Sequence, residues 1–141
     1  MSNAAVTETA PEAQSPYMVY RAALEERRLT FQRCNSCSGA WLPPREECPH
    51  CWSTDWAWQE ASGQATVISY VTYHTAFDKR FADRLPYNVA VVELAEGPRM
   101  VTNLTDMPTG DVIGRQAILS FEEDFDRQLP RFRLGSVNKA V

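Results

Sequence analysis

Every cysteine in the chain lies in the stretch CNSCSGAWLPPREECPHC, where Cys34/Cys37 and Cys48/Cys51 form two Cys-x-x-Cys pairs separated by ten residues. A Cys-x-x-Cys turn places two sulfurs on one side of an ion. Two such turns joined by a short hairpin complete a tetrahedral shell with bonds of about 2.3 Å. Pro43, Pro44 and Pro49 suit stiff turns, and Gly39 lets the backbone curl behind the first pair. The competing readings are a redox motif and two disulfides. A redox Cys-x-x-Cys is ordinarily a single pair beside a βαβ pattern, and this chain has two pairs and no such pattern. The expected site is therefore one metal ion held by Cys34, Cys37, Cys48 and Cys51. Zinc is the expected ion, although four sulfurs in a tetrahedron suit iron as well. A shell of four protein ligands leaves no position for water or substrate, so the ion is expected to be structural. His50, inside the second pair, reads as a surface residue of its turn.

A metal site of this kind contributes ~10–16 kcal/mol to folding, more than a core this small could supply. With 141 residues, 44% hydrophobic and 23% charged, the chain is globular and has room for such a module joined to a compact domain. Residues 1–16 are small, polar and Pro-containing, and are expected to form a flexible tail. They lack a basic region followed by an apolar stretch, and no apolar run is long enough to cross a bilayer. A cytoplasmic location without membrane association is expected, and that reducing setting disfavours disulfides. The net charge is −4, and the cations are twelve Arg against Lys79 and Lys139. A generic nucleic-acid binder would show a clear basic excess.

YMVYRAALEERRL (Tyr17–Leu29) puts Met18, Ala22 and Leu29 near one side, and Glu25 followed by Arg28 supports a short amphipathic helix over residues 17–30. The cysteine module then occupies 31–60. Trp41, Trp52, Trp56 and Trp58 are expected to supply the apolar packing that it otherwise lacks. From Gly63 the pattern changes to strands. ATVISYVTYHT alternates, with Val67, Ser69, Val71 and Tyr73 on one side and Ile68, Tyr70 and Thr72 on the other. NVAVVELA and PRMVTNL flank a Glu96-Gly97 turn, and QAILSFE and LPRFRL add two more candidates. Five short antiparallel strands in about 75 residues predict a small closed or nearly closed barrel over 61–136. The fold class is thus mainly β, with a helix and a metal ribbon ahead of the barrel.

Taken in chain order, FQRCNSCSGAWLPPREECPHC, W-x-x-x-SG (58–63), PYNVAVVELAEGPRMVTNL, IGRQAILSFEE and LPRFR resemble one family. In that family a rubredoxin-like zinc ribbon precedes an OB-fold, and its members are associated with acyl-CoA enzymes. The resemblance implies a five-stranded OB-fold barrel and carries the family's metal ligands onto Cys34, Cys37, Cys48 and Cys51. It also implies a non-catalytic accessory or scaffold protein that binds a thiolase-like enzyme or a hydratase acting on acyl-CoA thioesters, and that helps hold the CoA moiety. One departure is Ser38, where the family pattern would place glycine directly after the second ligand; here glycine comes one place later, at Gly39.

Chemistry outside the clasp is sparse. No G-x-S-x-G elbow, P-loop or dinucleotide fingerprint is present. His74 is the one imidazole besides His50, and a lone histidine at a strand end is ordinarily a surface or packing residue. The carboxylates of EEDFD (122–126) read as a solvated turn. Independent catalysis is not expected. The loop AFDKRFADRLPY between the first two strands, with His74 just before it, mixes aromatic and basic groups: His74, Phe77, Lys79, Arg80, Phe81 and Arg84. Three readings stay open for it: an ordinary solvated loop, a surface that meets the adenine and phosphates of CoA, or a partner contact. Two other functions are carried alongside. A single-stranded nucleic-acid binder would use Arg131 and Arg133 on the last strand, and a rubredoxin-like electron carrier would hold iron.

Overall fold

The computed structural model describes residues 15–76 and 78–135. The tail expected over 1–16 lies outside the described residues up to position 14; Ser15 and Pro16 open the first helix. Helix α1 (Pro16–Glu25) begins with the Ser15 hydroxyl accepting from Met18 N at 3.3 Å, and with proline in its first turn. It ends four residues earlier than Leu29. Arg27 takes a left-handed φ of 61°, and Arg28 N and Arg27 N donate back to Ala23 O and Leu24 O at 2.9 and 2.8 Å. These two bonds form the Schellman closure usually made around glycine. The expected helix face is corrected accordingly. Met18 is 49% exposed and Ala22 is exposed, while Pro16, Ala23 and Leu24 are buried; Leu29 is buried beyond the helix end. Glu25 pairs with Arg21 at 2.8 Å, and Arg28 pairs with Glu26.

The described chain separates into two compact units, one running through Ala61 plus residues Glu123–Leu129, the other Ser62–Glu122 plus the stretch from Pro130 onward. In the first unit, β1 (Thr30–Cys34), β2 (Ala40–Trp41) and β3 (Trp56–Glu60) form an antiparallel sheet in the order β2-β1-β3. Leu24, Leu29 and Phe31 are buried there, and Gln128 N, in the Glu123–Leu129 segment, donates to Glu25 Oε2 of α1 at 3.0 Å.

A second sheet follows, built from β4 (Gln64–Tyr73), β5 (Tyr87–Leu94), β6 (Arg99–Thr102), β7 (Gln116–Asp124) and β8 (Arg127–Leu134), with a 3₁₀ helix (Lys79–Arg84) between β4 and β5; all of it but the Glu123–Leu129 tip lies in the second unit. The sheet order is β6-β5-β4-β7-β8. It curls into a half-barrel whose two ends meet at a parallel bridge between Leu104 and Phe132, with Thr105 N donating to Phe132 O at 2.8 Å. Antiparallel neighbours plus one parallel closing contact give the OB-fold arrangement. All five expected strands are present. Alternation on β5 buries Asn88, Ala90, Val92 and Leu94, and Ala65, Val67, Ala117 and Phe132 are buried on the neighbouring strands.

Two details differ from the sequence pattern. β4 carries a bulge between Val67 and Ser69, so Val67 points inward while Ser69, Val71 and Tyr73 point outward. The extra residue, Ile68, breaks the strict alternation. The carboxylates Glu122–Asp124 belong to β7, and the turn itself is Phe125-Asp126, both left-handed at φ 53° and 60°. That geometry is a two-residue hairpin turn of the primed kind. No helix among the described residues is long and apolar enough to cross a membrane.

Candidate metal centre

β1 delivers Cys34 at its last residue, and a tight turn returns the chain through Cys37 and Gly39 into β2. The loop 42–47 then leads to Cys48, and a second turn passes Cys51 into β3. The two turns repeat one hydrogen-bond pattern. Ser38 N donates to Cys34 O at 3.1 Å, and Cys34 N donates to Gly39 O at 2.8 Å. In the second turn Trp52 N donates to Cys48 O and Cys48 N to Ser53 O, at 2.8 and 2.9 Å. Ser38 and Trp52 occupy equivalent places and are both left-handed, at φ 70° and 68°. Ser38 thus adopts the conformation that glycine would take without strain, which explains why the family departure leaves the turn intact. Gly39 makes room in a different way. The exposed His50 ring lies across it, and a Cβ there would come within 2.5 Å of His50 Cδ2.

All four sulfurs lie within 4.8 Å of one another, with Cys34 Sγ 3.6 Å from Cys51 Sγ and Cys37 Sγ 3.6 Å from Cys48 Sγ. Bonds of about 2.3 Å at tetrahedral angles put sulfurs about 3.8 Å apart, so the donor set fits one dication. Backbone amides face the sulfurs: Ser36 N donates to Cys34 Sγ at 3.2 Å, Gly39 N to Cys37 Sγ at 3.4 Å and His50 N to Cys48 Sγ at 3.3 Å. Such donors favour thiolate over thiol. The Cys37 backbone N–H, followed by smaller influences including Ser36 N–H, lowers the Cys34 thiol to about 6. At Cys51 the Ser53 N–H favours the thiolate, but desolvation and the three neighbouring cysteines push it up to about 12. Four sulfurs this close resist ionising together, and a bound cation reverses that by holding each as thiolate.

The surrounding ribbon fixes the turns. Cys34, Cys48 and Trp41 are buried together with Trp56 packed against them, and Trp56 meets both Trp41 and Trp58 edge-on at centroid distances of 6.4 and 5.6 Å. Trp52 does not join this packing; it is 70% exposed, because the left-handed turn directs it away. Gln32, fully buried on β1, was not legible as a site residue. Its carboxamide accepts from Arg45 N at 2.9 Å and donates to Arg45 O at 2.7 Å, clamping the loop between the two turns. Trp56 Nε1 donates to Glu46 O in the same loop at 2.8 Å.

The second group of expected site residues is gathered around the 3₁₀ helix. Asp78 caps it, and Lys79, Arg80, Phe81 and Arg84 belong to it. His74 is exposed just beyond β4, and Phe77 lies outside the described residues. Arg80 Nη2 pairs with Asp78 Oδ2 at 2.6 Å, and its guanidinium lies 5.7 Å from the Phe81 ring centre. Asp78 is held below the usual carboxylate range, chiefly by that Arg80 side chain. On β8, Arg131 pairs with Glu122 at 3.2 Å.

Comparison with known proteins follows the same division. Residues 21–57 match the rubredoxin-like zinc ribbon domain of ChsH2, and residues 58–122 match its C-terminal OB-fold domain. A DUF35 domain-containing scaffold protein of Methanocaldococcus jannaschii is 36% identical over 112 residues, which cover 76% of this chain and 79% of the relative. A probable enoyl-CoA hydratase alpha subunit of Thermomonospora curvata is 42% identical over 79% of this chain, which spans only 35% of that relative's own length. Among solved structures, a chain of an Ltp2-ChsH2(DUF35) aldolase superposes with a TM-score of 0.71 at 41% identity, covering 82% of this chain and 91% of that one. A DUF35 protein of unknown function from Sulfolobus solfataricus shares the fold at a TM-score of 0.60 and 15% identity, covering 95% of this chain and all of that one. The chain belongs to the DUF35 family, in the ChsH2 arrangement of a rubredoxin-like zinc ribbon followed by an OB-fold.

Proposed function

We propose that this chain is a non-catalytic accessory protein that joins an enzyme acting on acyl-CoA thioesters, of the thiolase-like or hydratase kind. In this reading Cys34, Cys37, Cys48 and Cys51 hold one zinc ion. The ion cross-links the two turns of the ribbon, and with every position taken by sulfur it offers none to water or substrate. The observation that carries the functional reading is the 41% identity to the DUF35 chain of the aldolase, of which this chain covers 91%. The scaffold naming of the archaeal relative and the hydratase naming of the Thermomonospora one agree with that setting.

Within this reading the 3₁₀ loop meets CoA, with Lys79, Arg80 and Arg84 toward phosphate and His74, Phe77 and Phe81 toward the adenine ring. Arg80 reaches a phosphate only by sharing or leaving Asp78, so Lys79 carries more of the expected effect. Lys79→Ala combined with Arg80→Ala is expected to weaken CoA or partner binding with the melting temperature nearly unchanged, because both side chains are exposed. Equal affinity for CoA and for the partner would remove the loop from the account. The broader reading is tested by isolating the tagged chain from its native cell and identifying what accompanies it by mass spectrometry. A thiolase-like or hydratase subunit is expected, and the purified chain alone should leave acyl-CoA thioesters unconverted. Turnover by the isolated chain would contradict the proposal.

A further inference from the structure

The two cysteine turns share one backbone and differ in what borders their sulfurs. Matching hydrogen bonds make Ser36 equivalent to His50 and Gly39 equivalent to Ser53. Ser36 N and His50 N each donate to the first sulfur of their turn, while Gly39 O and Ser53 O each accept from that first cysteine's N–H. The first cysteine of each turn, Cys34 and Cys48, is buried, and the second, Cys37 and Cys51, is exposed. Beside Cys37 stand Gly39 and His50. A Cβ on Gly39 would lie 3.3 Å from Cys37 Sγ and 2.5 Å from His50 Cδ2, so the imidazole ring occupies the space next to this sulfur. Beside Cys51 stand Ser53, whose N–H faces the sulfur, and Ser36. There the two hydroxyls meet, Ser36 Oγ donating to Ser53 Oγ at 3.2 Å, and Asp55 N donates to Ser53 Oγ at 3.0 Å. With both acceptor positions of Ser53 Oγ engaged, its own proton is left to donate.

We propose that Cys51 is a site of oxidation by small peroxides, the point at which the cysteine cluster is opened. The inference rests on the reading above that the four cysteines hold zinc as thiolates. Oxidation of a cysteine follows thiolate character and access. Thiolate character is common to all four sulfurs, so access decides among them. Two are buried, a ring stands beside the third, and only two small hydroxyls border Cys51. Its sulfur attacks one peroxide oxygen, the O–O bond breaks, and the Ser53 hydroxyl donates to the departing hydroxide. Cys34 Sγ, 3.6 Å from Cys51 Sγ, then attacks the sulfenic sulfur. An S–S bond forms, the S–O bond breaks, and a second hydroxide leaves. The two thiolates lose two electrons to the peroxide, which with two protons from solvent becomes two waters. The disulfide joins the two turns and withdraws two ligands from the ion, so zinc is released.

The test treats the zinc-loaded full chain with substoichiometric hydrogen peroxide. Released zinc is followed with a colorimetric chelator, and peptide mass spectrometry locates the modified thiols. The first product should be a Cys34–Cys51 disulfide, or a dimedone adduct on Cys51 when the sulfenic acid is trapped, with zinc leaving in step. Ser53→Ala should slow this release about fivefold, the effect of one lost hydrogen bond, with peroxide-free loss of zinc to the chelator unchanged. His50→Ala should speed release and bring Cys37 among the first thiols modified. First modification at Cys37 or Cys48 in the wild-type chain would overturn the proposal, as would zinc retained under excess peroxide. An unaltered modification map in His50→Ala would overturn the shielding on which it stands. The wild-type map decides even where a variant loses its zinc. A wild-type chain that cannot be loaded with zinc would instead sink the ligand reading, and this inference with it.

Discussion

Gln32 and Asn88 solve one problem in the two units with one device. Each is a buried carboxamide that satisfies both the N–H and the C=O of a single residue in a neighbouring irregular segment: Gln32 for Arg45, and Asn88 for Leu104 at 2.7 and 2.9 Å. A buried backbone group left without a partner costs about 1–3 kcal/mol. Gln32→Ala and Asn88→Ala are each expected to destabilise by that order in thermal denaturation, and an unchanged midpoint for either would contradict the clamp. Ser38 is the opposite case, a residue held in left-handed backbone that costs about 1 kcal/mol outside glycine. Ser38→Gly is expected to raise the melting temperature modestly, since the relieved strain is partly offset by the added freedom of the unfolded chain. A lower melting temperature would show that the Ser38 side chain contributes something the backbone does not reveal. At this scale the sequence displayed the four cysteines plainly, because ligand spacing is periodic and local. It hid Gln32 and Asn88, whose partners are 13 and 16 residues away and become visible only in the fold.

The ribbon and the curled sheet form by different means. The sheet has its own interior of Val67, Ala90, Val92, Leu94 and Phe132. The ribbon sheet is short, and around its two turns only Trp41, Trp56 and the buried cysteines pack. On the proposed reading its order depends on the ion. Cys48→Ser is expected to abolish metal retention and to collapse the near-ultraviolet signal of the packed tryptophans, while most far-ultraviolet strand signal survives. Full metal occupancy in that variant would contradict the ligand assignment. The five strands were legible because alternation and turn residues mark them. The bulge was not, since one extra residue at Ile68 leaves every neighbour's identity unchanged while it reverses which side chains face out. The helix end was missed because Arg27 occupies a position where glycine is the usual marker.

Across the whole molecule, the described residues bring together one cluster of side chains that could ligate a metal, and with four sulfurs as ligands it would leave no open coordination position. The remaining assets are surfaces: an apolar sheet face, a basic-aromatic loop and an exposed Trp52. A chain built this way is suited to attachment. Its family was readable from motif order, whereas the side chains that β4 turns outward depended on the bulge and were not. Native mass spectrometry of the chain co-purified with its enzyme tests the account most directly, because one spectrum reports both metal and assembly. The account predicts a chain heavier by one zinc ion and bound to an acyl-CoA enzyme subunit. A metal-free chain, or one that remains alone after co-expression with that enzyme, would contradict it.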